Sequence, residues 1–228
     1  MEKEIYYVVE RIKKTPNGRI YCIRSSMGTT FEMLVSEEQF ARFDIKEGDR
    51  IDDEYFLKIR EEMIFDNARR HAFAILSYGE NNRKSLIQKL RAKGYSPDVC
   101  EKIADYMEHR GYIDEKKQIG MLCDTYLRKK YGKLKIKSEL IAKGYKREDV
   151  EEYVANNLND VNFAQNCAYI IENKYYPLPK DPKEIAKMMG ALMRYGYTIG
   201  DIKEAVRMVM EKEKAEAEAK SDEDGDDE

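Results

Sequence analysis

The sequence predicts a mainly α-helical protein, in which tandem three-helix modules form an elongated array behind a small N-terminal β-rich subdomain. Three observations predict this class. Residues 5–35 contain short runs of β-branched and aromatic side chains that alternate as strands do. From Asp53 onwards apolar residues recur at helical spacing. A Gly-Tyr pair behind an apolar helical stripe returns at intervals of about fifty residues, which indicates a repeat architecture.

The N-terminal runs are separated by turn residues. The Asn17-Gly18 pair supplies the positive φ of a tight turn cheaply, and a Ser-Ser-Met-Gly stretch follows the second run. We therefore expect a three-stranded meander. Ser36 and Gln39 then form a capping box, which predicts a short helix, and residues 45–51 are typical of a turn into another short extended piece.

The helical repeat has the same signals in each copy. Apolar residues at i and i+4 precede the Gly-Tyr pair, and a stripe at i, i+4 and i+8 follows it. Each glycine stands where a helix must end, because the left-handed conformation costs glycine almost nothing. Each tyrosine can pack back over the helix end, so we expect structural roles for both residues. The motif residues are Gly94, Tyr95, Gly144, Tyr145, Gly196 and Tyr197.

A further apolar helical segment lies upstream of each pair, so the repeating unit is predicted to hold three helices. Ser96-Pro97 and Asp181-Pro182 are helix start signals that agree with this division. The predicted divisions are a β-meander with a short helix (1–66), three repeats (67–115, 116–164 and 165–212) and an acidic disordered tail (213–228).

The net charge of −3 averages three unlike regions. Residues 1–66 carry 11 basic and 15 acidic side chains, residues 67–210 carry 27 and 19, and residues 211–228 carry 3 and 10. A basic body with an acidic end suggests a polyanionic partner or an acidic protein surface, and a tail that competes for the same basic surface.

No catalytic, metal or cofactor site is predicted. The two histidines, His71 and His109, belong to no metal-binding or catalytic motif, and no phosphate-binding glycine loop occurs. The cysteines never form a C-x-x-C pair, so buried free thiols are expected at Cys22, Cys100, Cys123 and Cys167. No apolar run approaches the roughly 20 residues that span a bilayer, and the N-terminus lacks a signal-peptide pattern. The sequence therefore predicts a cytoplasmic protein with no membrane partner.

The strongest functional signal lies in residues 126–137, which hold six cations in the ten positions from Arg128, with tyrosines interleaved. Charges at this density repel each other, and an anionic partner relieves that repulsion. A merely solvated surface is the alternative interpretation. Cations in the first repeat could extend the same face. The predicted partner or DNA-binding residues are Arg83, Lys84, Lys89, Tyr126, Arg128, Lys129, Lys130, Tyr131, Lys133, Lys135 and Lys137.

Three stretches resemble the RecX family of regulatory proteins. Residues 83–95, followed by Gly111-Tyr112-Ile113-Asp114, resemble the first repeat of that family. In the second repeat, Gly132, Ile136, Glu139-Leu140 and Lys143-Gly144 fall where the family has the same residues. Residues 35–49 are similar to the N-terminal extension of longer members.

The resemblance covers nearly everything up to about residue 210. It implies a monomer that lies along the groove of the RecA–DNA filament and opposes the recombinase, ATPase and co-protease activities of RecA. Its partners would be the filament and DNA, single- or double-stranded, without sequence specificity. A role in DNA repair, recombination and the SOS response follows from the same resemblance.

A second hypothesis is a stand-alone helical DNA-binding protein or repressor, since a three-helix unit suits a recognition helix. A repressor usually works as a symmetric dimer, whereas unequal tandem modules suit a long asymmetric groove. Sequence-specific binding to naked duplex would favour the repressor. Binding that needs recombinase-coated DNA would favour the filament modulator.

Overall fold

The computed structural model describes the backbone of residues 5–223 and the side chains of residues 5–216. Within this range the protein is mainly α-helical with one small antiparallel sheet, which confirms the predicted fold class. The strands are β1 (Tyr6–Thr15), β2 (Gly18–Ser25), β3 (Thr30–Val35) and β4 (Arg50–Asp52). The helices are α1 (Glu37–Phe43), α2 (Asp53–Ser77), α3 (Arg83–Ala92), α4 (Pro97–His109), α5 (Glu115–Arg128), α6 (Lys133–Lys143), α7 (Arg147–Asn157), α8 (Phe163–Tyr175), α9 (Pro182–Arg194) and α10 (Ile199–Glu223).

The chain forms two compact units. The first holds the residues up to Gly79 together with Leu86–Arg110, and the second holds Glu80–Ser85 together with the chain from Gly111 onwards. The unit boundary therefore falls in the first turn of α3.

The sheet of the first unit has the order β3-β2-β1-β4. The predicted meander is present, and the extended piece after residue 45 becomes β4, which pairs antiparallel with β1. Every second residue of the strands points inward, so Val9, Tyr21 and Val35 are fully buried. The Phe56 ring of α2 stacks on the Tyr7 ring at 3.7 Å, which fixes this helix against the sheet.

Helix α2 is continuous across the predicted boundary between residues 66 and 67. Its N-cap Asp52 accepts a hydrogen bond from the Tyr55 backbone N–H, and no glycine or proline interrupts it before Gly79. Its first half buries Ile59 and Met63 in the core beneath the sheet. The N-terminal region and the helices that follow therefore share one helix, which crosses the predicted boundary. The predicted division of the chain stays a prediction.

The Gly-Tyr pairs end α3, α6 and α9 as predicted. Gly94, Gly144 and Gly196 have φ values of 91°, 101° and 89°. Each glycine N–H donates to the carbonyl three residues back, and each following tyrosine N–H donates to a leucine carbonyl one turn earlier. This pair of bonds is the Schellman motif, which satisfies carbonyls that a helix end leaves open.

Helix α10 continues to Glu223, past the predicted start of the disordered tail at residue 213. Alanine, glutamate and lysine are strong helix formers, and this composition extends the helix. Side chains also hold it, since Glu213 accepts a hydrogen bond from the Leu178 N–H at 2.8 Å and Glu216 accepts one from the Tyr176 hydroxyl. Residues 224–228 of the predicted tail lie outside the described residues.

Candidate partner and nucleic-acid interface

The basic segment 126–137 folds as the end of α5, a tight loop and the start of α6. Lys130 in the loop has a φ of 58°, in the left-handed region. Its N–H donates to the Leu127 carbonyl, and the Tyr131 N–H donates to the Tyr126 carbonyl. These are the bonds made at the three Gly-Tyr helix ends, so Lys130 and Tyr131 occupy the positions of glycine and tyrosine there.

Tyr126 is buried, with 6% of its surface exposed. It continues the inward face of α5 that Ile119 and Cys123 begin, and its ring stacks on Tyr131 at 5.7 Å. Tyr126 therefore lies in the core of this structure, and its predicted contact with a partner stays a prediction. It follows the helical spacing i, i+4, i+7 from Ile119, which is a core signal.

The Lys130 side chain reaches across to α8. Its Nζ donates to Asn166 Oδ1 at 2.8 Å and lies 5.2 Å from the centroid of the Tyr169 ring. The Lys130 carbonyl accepts a hydrogen bond of 2.6 Å from the buried Tyr197 hydroxyl. Both ends of this lysine are thus held by the third repeat.

Lys135 lies between two tyrosine rings. Its Nζ is 4.3 Å from the Tyr131 centroid and 5.5 Å from the Tyr195 centroid. On the other side, Lys174 Nζ donates to the Tyr195 hydroxyl oxygen at 3.0 Å. This hydrogen bond and the positive charge of Lys174 lower the pKa of Tyr195, and the charge of Lys135 adds to the effect.

These contacts form two groups, Lys130 with Tyr169 and Lys135 and Lys174 with Tyr131 and Tyr195, which we together call the lysine–tyrosine strip. Its lysines supply positive charge and its tyrosines supply ring faces, a combination that suits phosphates and bases. The strip consists of Lys130, Tyr131, Lys135, Tyr169, Lys174 and Tyr195.

The other cations of the basic segment take different positions. Arg128 and Lys129 are exposed at the end of α5, and Lys133 is half-buried at the start of α6. Lys137 Nζ lies 3.7 Å from Glu151 Oε1 of α7, so this carboxylate balances part of the lysine charge within the protein. Arg128, Lys129 and Lys133 stay predicted partner contacts.

The predicted cations of the first repeat are divided between the two compact units. Arg83 and Lys84 belong to the second unit, and Lys89 belongs to the first. The stem of Lys84 covers Gly144, where an added Cβ would lie 2.8 Å from its Cδ, while the Lys84 side chain as a whole is exposed. That Arg83, Lys84 and Lys89 extend the face formed by residues 126–137 stays a prediction.

Close backbone contact brings the basic segment to the third repeat. The Gly132 N–H donates to the Tyr195 carbonyl at 2.7 Å, and the Leu134 N–H donates to the Gly196 carbonyl at 3.1 Å. The first turn of α6 is thereby capped by the end of α9. A Cβ on Gly132 would lie 2.3 Å from the carbonyl atoms of Gly196, so only glycine fits.

The start of α3 meets the end of α6 in a similar way. Asn82 caps α3 by accepting the Ser85 N–H at 2.9 Å, and its Nδ2 donates to the Lys143 carbonyl at 2.9 Å. Asn82 and Gly132 stand at corresponding positions of their repeats, four residues before Leu86 and Ile136. The middle helix of one repeat therefore begins on the helix end of the next in both cases.

The tyrosines of the Gly-Tyr pairs reinforce these junctions. The Tyr145 hydroxyl donates to Gln118 Oε1 at 3.0 Å, and the Tyr197 hydroxyl holds the Lys130 carbonyl. Burial raises the pKa of Tyr145 to about 12, so this phenol stays a hydrogen-bond donor. In the first unit, the Tyr95 hydroxyl and His71 Nδ1 are 2.7 Å apart. These contacts support the predicted structural role.

Sequence reasoning missed Asn166, Tyr169, Lys174 and Tyr195. A signal existed for Tyr195, because the first two repeats have Lys93 and Lys143 before the Gly-Tyr pair and the third has a tyrosine. The residues of α8 carry no comparable signal. Asn166 and Tyr169 lie near Lys130, and Lys174 lies near Tyr195, only because of how the helices pack.

We also searched the described part of the chain for a metal site, a membrane-spanning helix and reactive cysteines. There, no group of three or more metal-binding side chains comes together, and no helix has the length and apolar character to cross a membrane. Cys100, Cys123 and Cys167 are buried as predicted, whereas Cys22 is half-buried. Burial raises the pKa of the Cys123 thiol to about 11, which keeps it protonated and unreactive.

Comparison with known proteins gives one consistent result, although no family model matches the chain. The regulatory protein RecX of Clostridioides difficile is 24% identical over 183 residues, covering 79% of this chain and 85% of that protein. The regulatory protein RecX of Pseudomonas syringae pv. tomato is 29% identical over 132 residues, covering 58% of this chain and 84% of that protein.

Solved structures agree on the fold. A crystal structure of regulatory protein RecX matches with a TM-score of 0.62 at 16% identity, over 90% of this chain and 99% of that one. RecX from Lactobacillus salivarius matches with a TM-score of 0.55 at 19% identity, over 64% of this chain and 96% of that one. Curated relatives of one name align over most of their length and share the helical fold, so the chain resembles the RecX regulatory proteins in sequence and in fold, as the sequence predicts.

Proposed function

We propose that this protein binds the RecA recombinase filament on DNA and inhibits its recombinase, ATPase and co-protease activities, thereby modulating DNA repair and recombination. The observation that carries the proposal is the lysine–tyrosine strip, which the densest basic segment forms with the third repeat in a chain that resembles the RecX regulatory proteins. The role is one of binding and regulation rather than catalysis.

The strip suits a long, anionic and asymmetric partner. Lysines that neutralise phosphates release condensed counterions, which favours binding at low salt. The backbone bonds from Gly132 and Leu134 hold the second repeat against the third, so lysines and tyrosines of both repeats are available to one extended partner. A recombinase-coated DNA strand has this character, and an asymmetric monomer in the cytoplasm fits it better than a symmetric dimer does.

The test is a DNA-dependent ATPase assay of the cognate recombinase with this protein titrated in. We expect ATP hydrolysis and strand exchange to fall at sub-stoichiometric or near-stoichiometric protein. An unrelated DNA-dependent ATPase serves as the control and should keep its rate, because inhibition by simple coating of DNA would slow both enzymes. Absence of inhibition at large molar excess of folded protein would contradict the proposal.

The same preparation separates the proposal from the repressor hypothesis. Binding to naked duplex can be measured on several unrelated sequences, with and without recombinase. Tight binding to one duplex sequence alone, without recombinase, would favour a repressor. Binding that increases when recombinase coats the DNA, whatever its sequence, supports the filament modulator.

A further inference from the structure

Lys130 has a backbone conformation that the repeats otherwise give to glycine. Its φ of 58° corresponds to 101° at Gly144 and 89° at Gly196, and it makes the same helix-ending hydrogen bonds. A side chain in the left-handed region costs free energy that glycine avoids, and strain of this kind concentrates at functional sites. Something other than helix termination therefore favours a lysine here.

The side chain of Lys130 positions an exposed aromatic ring. Its ammonium group is anchored on Asn166 and lies 5.2 Å from the Tyr169 centroid, while 54% of Tyr169 remains exposed. An aromatic ring held near a cation and open to solvent is a stacking surface rather than a core side chain.

We propose that Tyr169 stacks on an unpaired base of single-stranded nucleic acid, while Lys130, Lys135 and Lys174 bind the neighbouring phosphodiesters. This inference rests on the proposed function, since it names the state of the nucleic acid that the lysine–tyrosine strip receives. A duplex offers the same phosphates but keeps its bases stacked on each other, so it leaves the Tyr169 ring without a partner. An acidic protein surface would use the lysines and leave the exposed ring unused.

The test measures binding of the full chain to a fluorescently labelled single strand and to a labelled hairpin duplex by anisotropy at low salt. Tyr169→Leu removes the stacking ring, whereas Tyr169→Phe keeps it and loses only the hydroxyl. Tyr78→Leu is the matched control, because Tyr78 is 92% exposed and lies in the other compact unit. Unchanged thermal midpoints by circular dichroism verify that each variant is folded.

We expect Tyr169→Leu to weaken single-strand binding about tenfold and to leave duplex binding unchanged, since stacking of one base supplies that order of affinity. Tyr169→Phe and Tyr78→Leu should bind the single strand like the parent. Equal losses on single strand and duplex, or no loss on either, would overturn the stacking role.

The outcome can be separated from that of the proposed function. A parent protein that inhibits the recombinase ATPase but does not bind a bare single strand overturns this inference and leaves the proposed function standing. Displacement of the single strand by polyglutamate as readily as by unlabelled oligonucleotide, with no dependence on Tyr169, would assign the strip to an acidic protein surface instead.

Discussion

Replacing Gly132 by alanine should destabilise the second compact unit by more than the difference in backbone preference between glycine and alanine accounts for. Gly132 has an ordinary φ of −73°, so alanine is acceptable there as far as its own backbone is concerned. The new Cβ would lie 2.3 Å from the Gly196 carbonyl carbon and oxygen and 2.5 Å from the Tyr197 nitrogen. All three are backbone atoms, so the two helix ends must separate.

The magnitude follows from two effects. Forcing one extra carbon into a packed contact costs about 1 to 3 kcal/mol. Separation also weakens the 2.7 Å bond from the Gly132 N–H to the Tyr195 carbonyl, and a bond of this kind contributes about 1 kcal/mol. We therefore expect a loss of roughly 2 to 4 kcal/mol in the free energy of unfolding.

Gly94→Ala is the matched control for this change. Gly94 has a φ of 91°, and a Cβ added there meets no atom within 4 Å. Its cost is conformational alone, at about 1 to 2 kcal/mol. Urea unfolding followed by circular dichroism compares the two variants. If Gly132→Ala proved as stable as the parent, or more stable than Gly94→Ala, the close contact between the second and third repeats would not exist as described.

Three further predictions concern charge, the helix ends and the tail. Joint replacement of Lys129, Lys130, Lys133 and Lys135 by glutamate should weaken filament binding at low salt, because these charges hold a polyanion. The Lys130 change also removes the hydrogen bond to Asn166, so the thermal midpoint must verify the fold, and unchanged binding by a folded variant would count against the basic segment as a partner contact. Gly144→Val should lower the free energy of unfolding by at least about 1 kcal/mol, because it places a β-branched residue at a φ of 101° against the Lys84 stem; an unaltered thermal midpoint would argue against this. Deleting residues 221–228 should tighten DNA binding, most at low salt, because residues 211–228 carry 3 basic and 10 acidic side chains that compete with DNA for the basic surface. If the full-length and the truncated chain bound DNA with equal affinity at every salt concentration, the tail would be a solubilising extension only.

Local chemistry made much of the fold predictable from the sequence. The Gly-Tyr pairs end helices because only the left-handed conformation closes a Schellman motif, and Gly144 adopts it. The strands follow from alternation of side chains and from the turn at Asn17-Gly18, which β1 and β2 flank. Burial of Tyr126 was also predictable, since it continues the apolar spacing of Ile119 and Cys123, but the density of charge around it favoured a surface interpretation.

Only the tertiary structure decided which residues form the candidate site. Tyr169 of α8 lies far along the chain from Lys130, and the two side chains are neighbours where the second repeat packs on the third. At the same junction the Gly132 and Gly196 backbones approach more closely than side chains would allow. Sequence spacing therefore determined the helices, their ends and the repeat, because these depend on neighbours within a few residues. The site depends on contacts between repeats, which no local pattern specifies.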